Sequence, residues 1–372
     1  MLKFRPTTSL VRFGGAALIA LTLALAPNST VRAQTFPYVL TDLGALTPNS
    51  STDARGINDN GQVCGRSEDT RGYGRAFIWT PNGPNATAGT MKDLGVPKGS
   101  SASFGNEING SGMVAGGLAN IKAGWPTTYP KSALWRTDAA GNVVSVNTIL
   151  PLGGTTNAQV TAYGINDAGQ VVGWSSVKSS AGGMHAFLWT NGVMTDLGGG
   201  PAGSDWRKAT AINRNGVVVG TSGLGGWYRR TPIDTAPTEL PILAEAMAVT
   251  VDSNNHDIIA GTANSLAVLY DLTAGAFVPL TPNANWTGSS DTGLALNSAG
   301  QMVGRSNVGA FVYDQLNGKQ ALNAMFAQPT GRTWYLDAAT GINNLGQICG
   351  GGWSIDAGST TKIYRAFLLT PQ

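Results

Sequence analysis

The chain has 372 residues, of which 42% are hydrophobic, only 12% are charged and 51 are glycine; aromatic residues are plentiful, so a disordered chain is excluded and a turn-rich, all-β protein is indicated. The formal charge of +3 misleads, because Lys3, Arg5, Arg12 and Arg32 all lie in the first 33 residues, which hold no acid, leaving 20 basic against 21 acidic residues and a net charge of −1 thereafter. A near-neutral surface without a basic stretch argues against nucleic acid and anionic lipid as partners.

Residues 1–33 read as a secretory signal: a basic start, an apolar run from about Gly14 to Ala26, and a small-residue exit at Val31-Arg32-Ala33. Cleavage after Ala33 would leave one domain, residues 34–372. The run is short of the roughly 20 apolar residues a membrane helix needs and no second one follows, so an exported protein, secreted or periplasmic, without membrane insertion is expected.

From there one unit recurs seven times. It reads A-x-G-I-N-x-x-G-x-V-x-G, a variable loop, A-F-x-W-T, a tight turn, and x-D-L-G, most clearly over residues 162–198 (AYGINDAGQVVGWS, then HAFLWTNGVMTDLG). The other copies begin near Ala54, Phe104, Ala209, Ala248, Gly293 and Ala339. The polar residue of the I-N step falls at Asn58, Asn109, Asn166, Asn213, Asp252, Asn297 and Asn343; the fifth copy is degenerate, with Asn254 as an alternative match. Each copy holds four strand candidates. I-N-x-x-G and Asn191-Gly192 are hairpin turns, the Asn or Asp bonding its own backbone and the Gly supplying positive φ.

The last copy stops after its third strand, AFLLT, and the missing fourth strand stands at the front as residues 38–44, YVLTDLG. A linear array has no use for a split repeat. A ring does, because the borrowed strand removes its open edges. The predicted fold is therefore a seven-bladed β-propeller closed by the N-terminal strand on the last blade, with an open β-solenoid as the alternative. Cys64 and Cys349 occupy the same repeat position and would point the same way around such a ring, which favours two buried thiols over a disulfide.

With the string HAFLW at residues 185–189, the GVMTDLG that follows and the G-I-N-x-x-G-Q-V-V-G element, the chain resembles the bacterial HAF-repeat extracellular proteins over nearly all of its length after the signal. The resemblance implies an exported repeat protein and no defined activity. Copies four and five depart from it, with WYRRTP and AVLYDL in place of A-F-x-W.

Candidate chemistry is sparse. There are only two histidines, His185 and His256, and His185 reads as part of the repeat framework. Asp42, Asp93 and Asp196 before Leu-Gly read as backbone caps, since one carboxylate per blade is a poor cage for calcium. No metal or other cofactor is expected. Trp79, Trp135 and Trp189 belong to A-F-x-W and read as packing residues, whereas Trp125, Trp174, Trp227 and Trp353 follow the second strand and Trp206, Trp286 and Trp334 precede the first. Loops at those two places emerge on one face of a propeller. The seven, with Tyr228 and Arg229 among their polar neighbours, are thus the candidate binding residues: either a cap over the blades or an aromatic platform for a sugar ring or peptide. The leading reading is a monomeric, non-catalytic binding module for a polysaccharide or extracellular protein. The alternative is a polysaccharide-active glycosidase or lyase using loop carboxylates such as Asp205, Asp291 and Asp337.

Overall fold

A computed structural model describes residues 37–372, except 123–124, 154–157, 178–182, 200–205 and 282 and the side chains of 122 and 125–130; the segment read as a signal lies outside the described residues. The rest forms seven four-stranded antiparallel sheets arranged as the blades of a β-propeller. Blades 1 to 6 occupy residues 52–93, 102–149, 160–198, 207–240, 245–277 and 292–321. Blade 7 takes three strands from residues 332–371 and its outermost strand, Tyr38–Asp42, from the front of the chain, in register from Tyr38 opposite Pro371 to Asp42 opposite Phe367. The split repeat is thus the ring closure that the sequence predicts.

Blade 3 shows why the repeat folds this way. Its strands are Val160–Ile165, Val171–Ser176, Met184–Thr190 and Val193–Gly198, innermost to outermost. Asn191 and Gly192 have φ of 49° and 92°, the left-handed pair a two-residue hairpin needs. Strand two carries apolar residues at successive positions because both of its faces are covered. Accordingly the described residues form seven apolar clusters, one in each interface between neighbouring blades; Val171, Phe187 and Trp189 face blade 2, while Val172, Ala186 and Leu197 face blade 4. Each buried Phe, Leu or Val contributes about 1.5–3 kcal/mol.

Cys349 lies in the cluster between blades 7 and 1 and Cys64 in that between blades 1 and 2, so the two buried thiols are free and in different interfaces.

The Asn of each I-N turn does more than shape its own turn. Asn166 Oδ1 accepts from Gln170 N at 3.1 Å, and its Nδ2 donates to Gln170 Oε1 at 2.8 Å and across the interface to Asn213 O at 3.0 Å. The same step runs from Asn58 to Asn109, Asn109 to Asn166, Asn297 to Asn343, and Asn343 back to Asn58, at 2.9–3.0 Å. Blade 5 breaks the series. Ala246 stands opposite Gly261 as Ala54 does opposite Gly65, so the fifth copy starts at Ala246, two residues before the Ala248 read from sequence, and its first hairpin is two residues longer on each strand. Thr250 therefore takes the Asn position, and Asp252, not Asn254, caps the protruding turn through bonds from Asn254 N and His256 N. Asn213 reaches the Asp257 carboxylate instead, at 2.8 Å, and no counterpart reaches Asn297 O among the described residues.

Candidate functional site

Every first strand carries a β-bulge at one place. Register slips between Ala54 and Gly56, Gly105 and Glu107, Ala162 and Gly164, Ala209 and Ala211, Ala246 and Ala248, Gly293 and Ala295, and Ala339 and Gly341. Opposite it in strand two sits a glycine against the bulged backbone: a Cβ on Gly173 would fall 1.9 Å from Thr161 O, and one on Gly65 2.0 Å from Asp53 O. A bulge re-aims the side chain it leaves unpaired. Here the seven unpaired residues, Arg55, Asn106, Tyr163, Thr210, Met247, Leu294 and Thr340, all line one central cavity of about 680 Å³. They are the variable x of A-x-G-I-N.

The wall is two-sided. Blades 1 to 3 present Asp53, Arg55, Asn106, Glu107 and Tyr163, whereas blades 5 and 6 present Met247, Val249, Leu294 and Leu296; Lys208 and Thr210 lie between, and Tyr364 closes the circle from blade 7. Arg55 is held by Asp53 at 2.8 Å and Asn106 Oδ1 at 2.6 Å, and Asn106 Nδ2 donates to Ala162 O at 2.7 Å, so this side is pre-set. Tyr364 lies over Gly351, where a Cβ would meet its ring at 2.5 Å, and its hydroxyl donates to Asp337 at 3.3 Å. Burial, with Asp337 and Asp53 near, pushes the Tyr364 hydroxyl well up.

Glu107 stands where other blades have Gly or Ala. Room for it comes from blade 1, where a Cβ on Gly56 would lie 2.4 Å from Glu107 Oε1. That oxygen accepts from Ile108 N at 3.0 Å, and no cation pairs with the carboxyl among the described residues. Burial therefore pushes it up to about 7. Ile57, Ile165, Ile212, Leu296 and Ile342 line both this cavity and a smaller one of about 240 Å³ edged by the Asn turns, forming an apolar collar between them. The Asn-turn face thus has a small pocket of its own.

The candidate tryptophans do not form a common platform. Trp227 is fully buried and Trp334 is 3% exposed, so neither ring is open to a ligand. Trp227 pairs with Gly220 in the third strand of blade 4, the place that Phe187 takes opposite Gly173 in blade 3, and packs with Val172, Val218 and Ile212. Trp334 packs between blades 6 and 7 beside Val303 and Phe326. Trp174 lies within strand two of blade 3, half-buried, and Trp286 packs edge-on against Phe311. Trp206, 39% exposed, and Trp353, 42% exposed, do reach solvent. Trp353 sits within strand two of blade 7, opposite Tyr335 and Tyr364, and meets the Tyr364 ring edge-on at 5.0 Å. Trp125 opens the third strand of blade 2; its side chain lies outside the described residues. Tyr228 and Arg229 are near the end of the third strand of blade 4, which continues through Thr231 to a backbone bond with Gly216 of the first turn; they belong to the Asn-turn side, not the loop-rich face.

Among the loop carboxylates, Asp205 lies outside the described residues, Asp291 is fully buried against Lys319 at 2.8 Å, and Asp337 accepts from the Tyr364 hydroxyl. Asp42, Asp93 and Asp196 each accept from the glycine two residues on, at 2.7–2.9 Å, and so cap the backbone as read. They also meet the base that precedes A-F on strand three: Arg75 with Asp93 at 2.6 Å, His185 with Asp196 at 2.9 Å and Arg365 with Asp42 at 3.9 Å. Trp79, Trp135 and Trp189 are buried packing residues.

No protein-family model matches the chain, and no curated protein does. Among solved structures it is similar to a virginiamycin B lyase from Staphylococcus aureus, at 12% identity and TM-score 0.50 over 90% of this chain and 100% of that one. It is also similar to the extracellular domain of a one-component system from B. thetaiotaomicron (9%, TM-score 0.49, 89% and 39%) and to a gluconolactonase from Xanthomonas campestris (11%, TM-score 0.40, 90% and 90%). The seven four-stranded sheets, together with the likeness to the lyase, show the fold alone: the chain is a seven-bladed β-propeller.

Proposed function

We propose that the protein is an exported, non-catalytic binding module of HAF-repeat type that holds a saccharide in its central cavity. One observation carries this reading: seven backbone-equivalent bulges project seven side chains of differing chemistry into one space, while the residues around them repeat. Positions kept for packing repeat with the fold, as the glycines opposite the bulges do. The cavity's division also suits the ligand class, because a sugar ring has a hydroxylated edge for Arg55, Asn106 and Tyr163 and an apolar face for Met247 and Leu294. Tyr364 of the cavity wall meets the exposed Trp353 ring edge-on, which adds a second aromatic ring behind it.

The test is a glycan array probed with the folded protein and with Asn106→Ala/Tyr163→Ala. Binding to at least one saccharide class that the double variant loses supports the reading; retention by the variant, or no binding by either, refutes it. The enzymatic alternative gains from Glu107 and not from Asp291, whose carboxylate is sealed under Lys319. Accumulating oligosaccharide fragments in the same incubations would establish that alternative in place of simple binding.

A further inference from the structure

Glu107 and Lys208 are unexplained by the fold. Glu107 needs the missing Cβ of Gly56, and a Gly or Ala serves at its position in other blades, so the bulge does not require a carboxyl there. Among the described residues its carboxyl has one hydrogen bond, from Ile108 N to Oε1, and Glu107 lines the cavity. Lys208, one blade further round than Tyr163, lines the same cavity and has no carboxylate partner among the described residues.

The charges around Glu107 can be followed element by element. Blade 1 contributes Asp53 and Arg55, already paired with each other, and blade 3 contributes the neutral Tyr163. Blade 4 contributes the Lys208 cation, and blade 7 contributes Tyr364, hydrogen-bonded to Asp337. Beneath lie the thiols of Cys64 and Cys349, which burial keeps neutral. Among the described residues, the cavity wall therefore carries one cation without a carboxylate partner, Lys208, and one carboxyl without a cation partner, Glu107.

We propose that the cavity takes an acidic saccharide, a uronate-bearing oligosaccharide, with Lys208 meeting the sugar carboxylate and Glu107, as the neutral acid, donating a hydrogen bond to the ligand. This rests on the saccharide reading above. A bound carboxylate adds negative charge beside Glu107 and so favours its protonated form, so ligand and proton bind together and affinity rises as pH falls. Since burial alone already raises Glu107 to about 7, the uptake falls in the neutral range.

Isothermal titration with oligogalacturonate and with its neutral counterpart, a reduced-carboxyl galactan oligomer, tests this. The acidic oligomer should bind at least about tenfold more tightly, and its affinity should weaken about five- to tenfold between pH 5.5 and 8.5, since one pKa unit is a factor of ten. At pH 7 its heat should differ between two buffers of unlike ionisation enthalpy, reporting proton uptake. Glu107→Gln, which keeps a donor without a titrating proton, should bind with no such pH dependence or buffer difference. Lys208→Met should lose the preference for the acidic oligomer. Equal affinity for both oligomers, equal heats in both buffers, or an unchanged pH profile in Glu107→Gln overturns the proposal and leaves saccharide binding standing. Absence of binding to any saccharide overturns both.

Discussion

The carboxyl of Glu107 has a consequence for stability that needs no ligand. Its ordinary value is 4.5 and burial lifts it to about 7 in the folded protein. Each unit is worth about 1.4 kcal/mol, so the charged form costs the folded state at most about 3.5 kcal/mol, and about 1–3 kcal/mol once solvent in the cavity is allowed for. The folded protein holds this proton to higher pH than the unfolded chain does. Wild-type stability thus falls as pH rises from about 4.5 to about 7, and the loss is complete above that. Glu107→Gln is neutral at every pH and nearly the same shape. It should therefore match wild type at pH 4.5 and melt about 2–4 °C higher at pH 8.5, given the small melting shift per kcal/mol in a domain of this size. Differential scanning calorimetry of both proteins across that range reads the effect. The reasoning fails if the melting difference is the same at both ends, or if the variant is the less stable protein at pH 8.5.

Four further outcomes follow from the frame. Asn166→Ala should destabilise by about 2–4 kcal/mol, more than the roughly 1 kcal/mol of a turn bond alone, because it also strands a buried carbonyl on the next blade; urea unfolding measures it. Gly173→Ala should cost more than about 3 kcal/mol or abolish folding, since the Cβ meets Thr161 O at 1.9 Å, whereas Gly192→Ala, with open space around it, should cost about 1 kcal/mol. Trp227→Ala should cost about 3–5 kcal/mol and Trp353→Ala under about 1 kcal/mol, checked by thermal melts; comparable losses would contradict the burial of one and the exposure of the other. Deleting residues 34–44 removes the outer strand beside Ile363–Pro371 and should produce aggregates in size-exclusion chromatography; a monomeric truncation with unchanged melting would contradict the closure.

The architecture was legible because a propeller writes itself into sequence as a period and a split repeat. Turn chemistry was legible as well, since Asn191-Gly192 and the I-N-x-x-G step act locally. The inter-blade reach of Asn166 was not, because its acceptor lies 47 residues away. The tryptophan reading failed at Trp227 through register: GWYRR aligns residue for residue with AFIWT of blade 1, which puts Trp227 at the place of Phe77, a packing position. The cavity was hidden for a different reason. Arg55, Asn106, Tyr163 and Met247 share no chemistry, so the x of the motif looks like noise until the backbone bulge shows that all of them point to one place. Variation inside an otherwise regular step was the available signal.

The interrupted Asn relay gives the ring a second pair of ends. Covalently, the chain is split within blade 7, where Gln372 N bonds to Pro37 O at 3.0 Å. By side-chain relay it is split elsewhere, since the hand-over runs from blade 6 through 7, 1, 2, 3 and 4 to blade 5 and does not return to Asn297 among the described residues. These two breaks lie on different sides of blade 6, which is tied by relay to its successor and by peptide chain to its predecessor. A circular permutant that joins residues 372 and 37 through a short linker and opens between blades 5 and 6 would bring both breaks to one seam. Blade 6 would then start the chain, and the relay would run in sequence order from the first blade to the last.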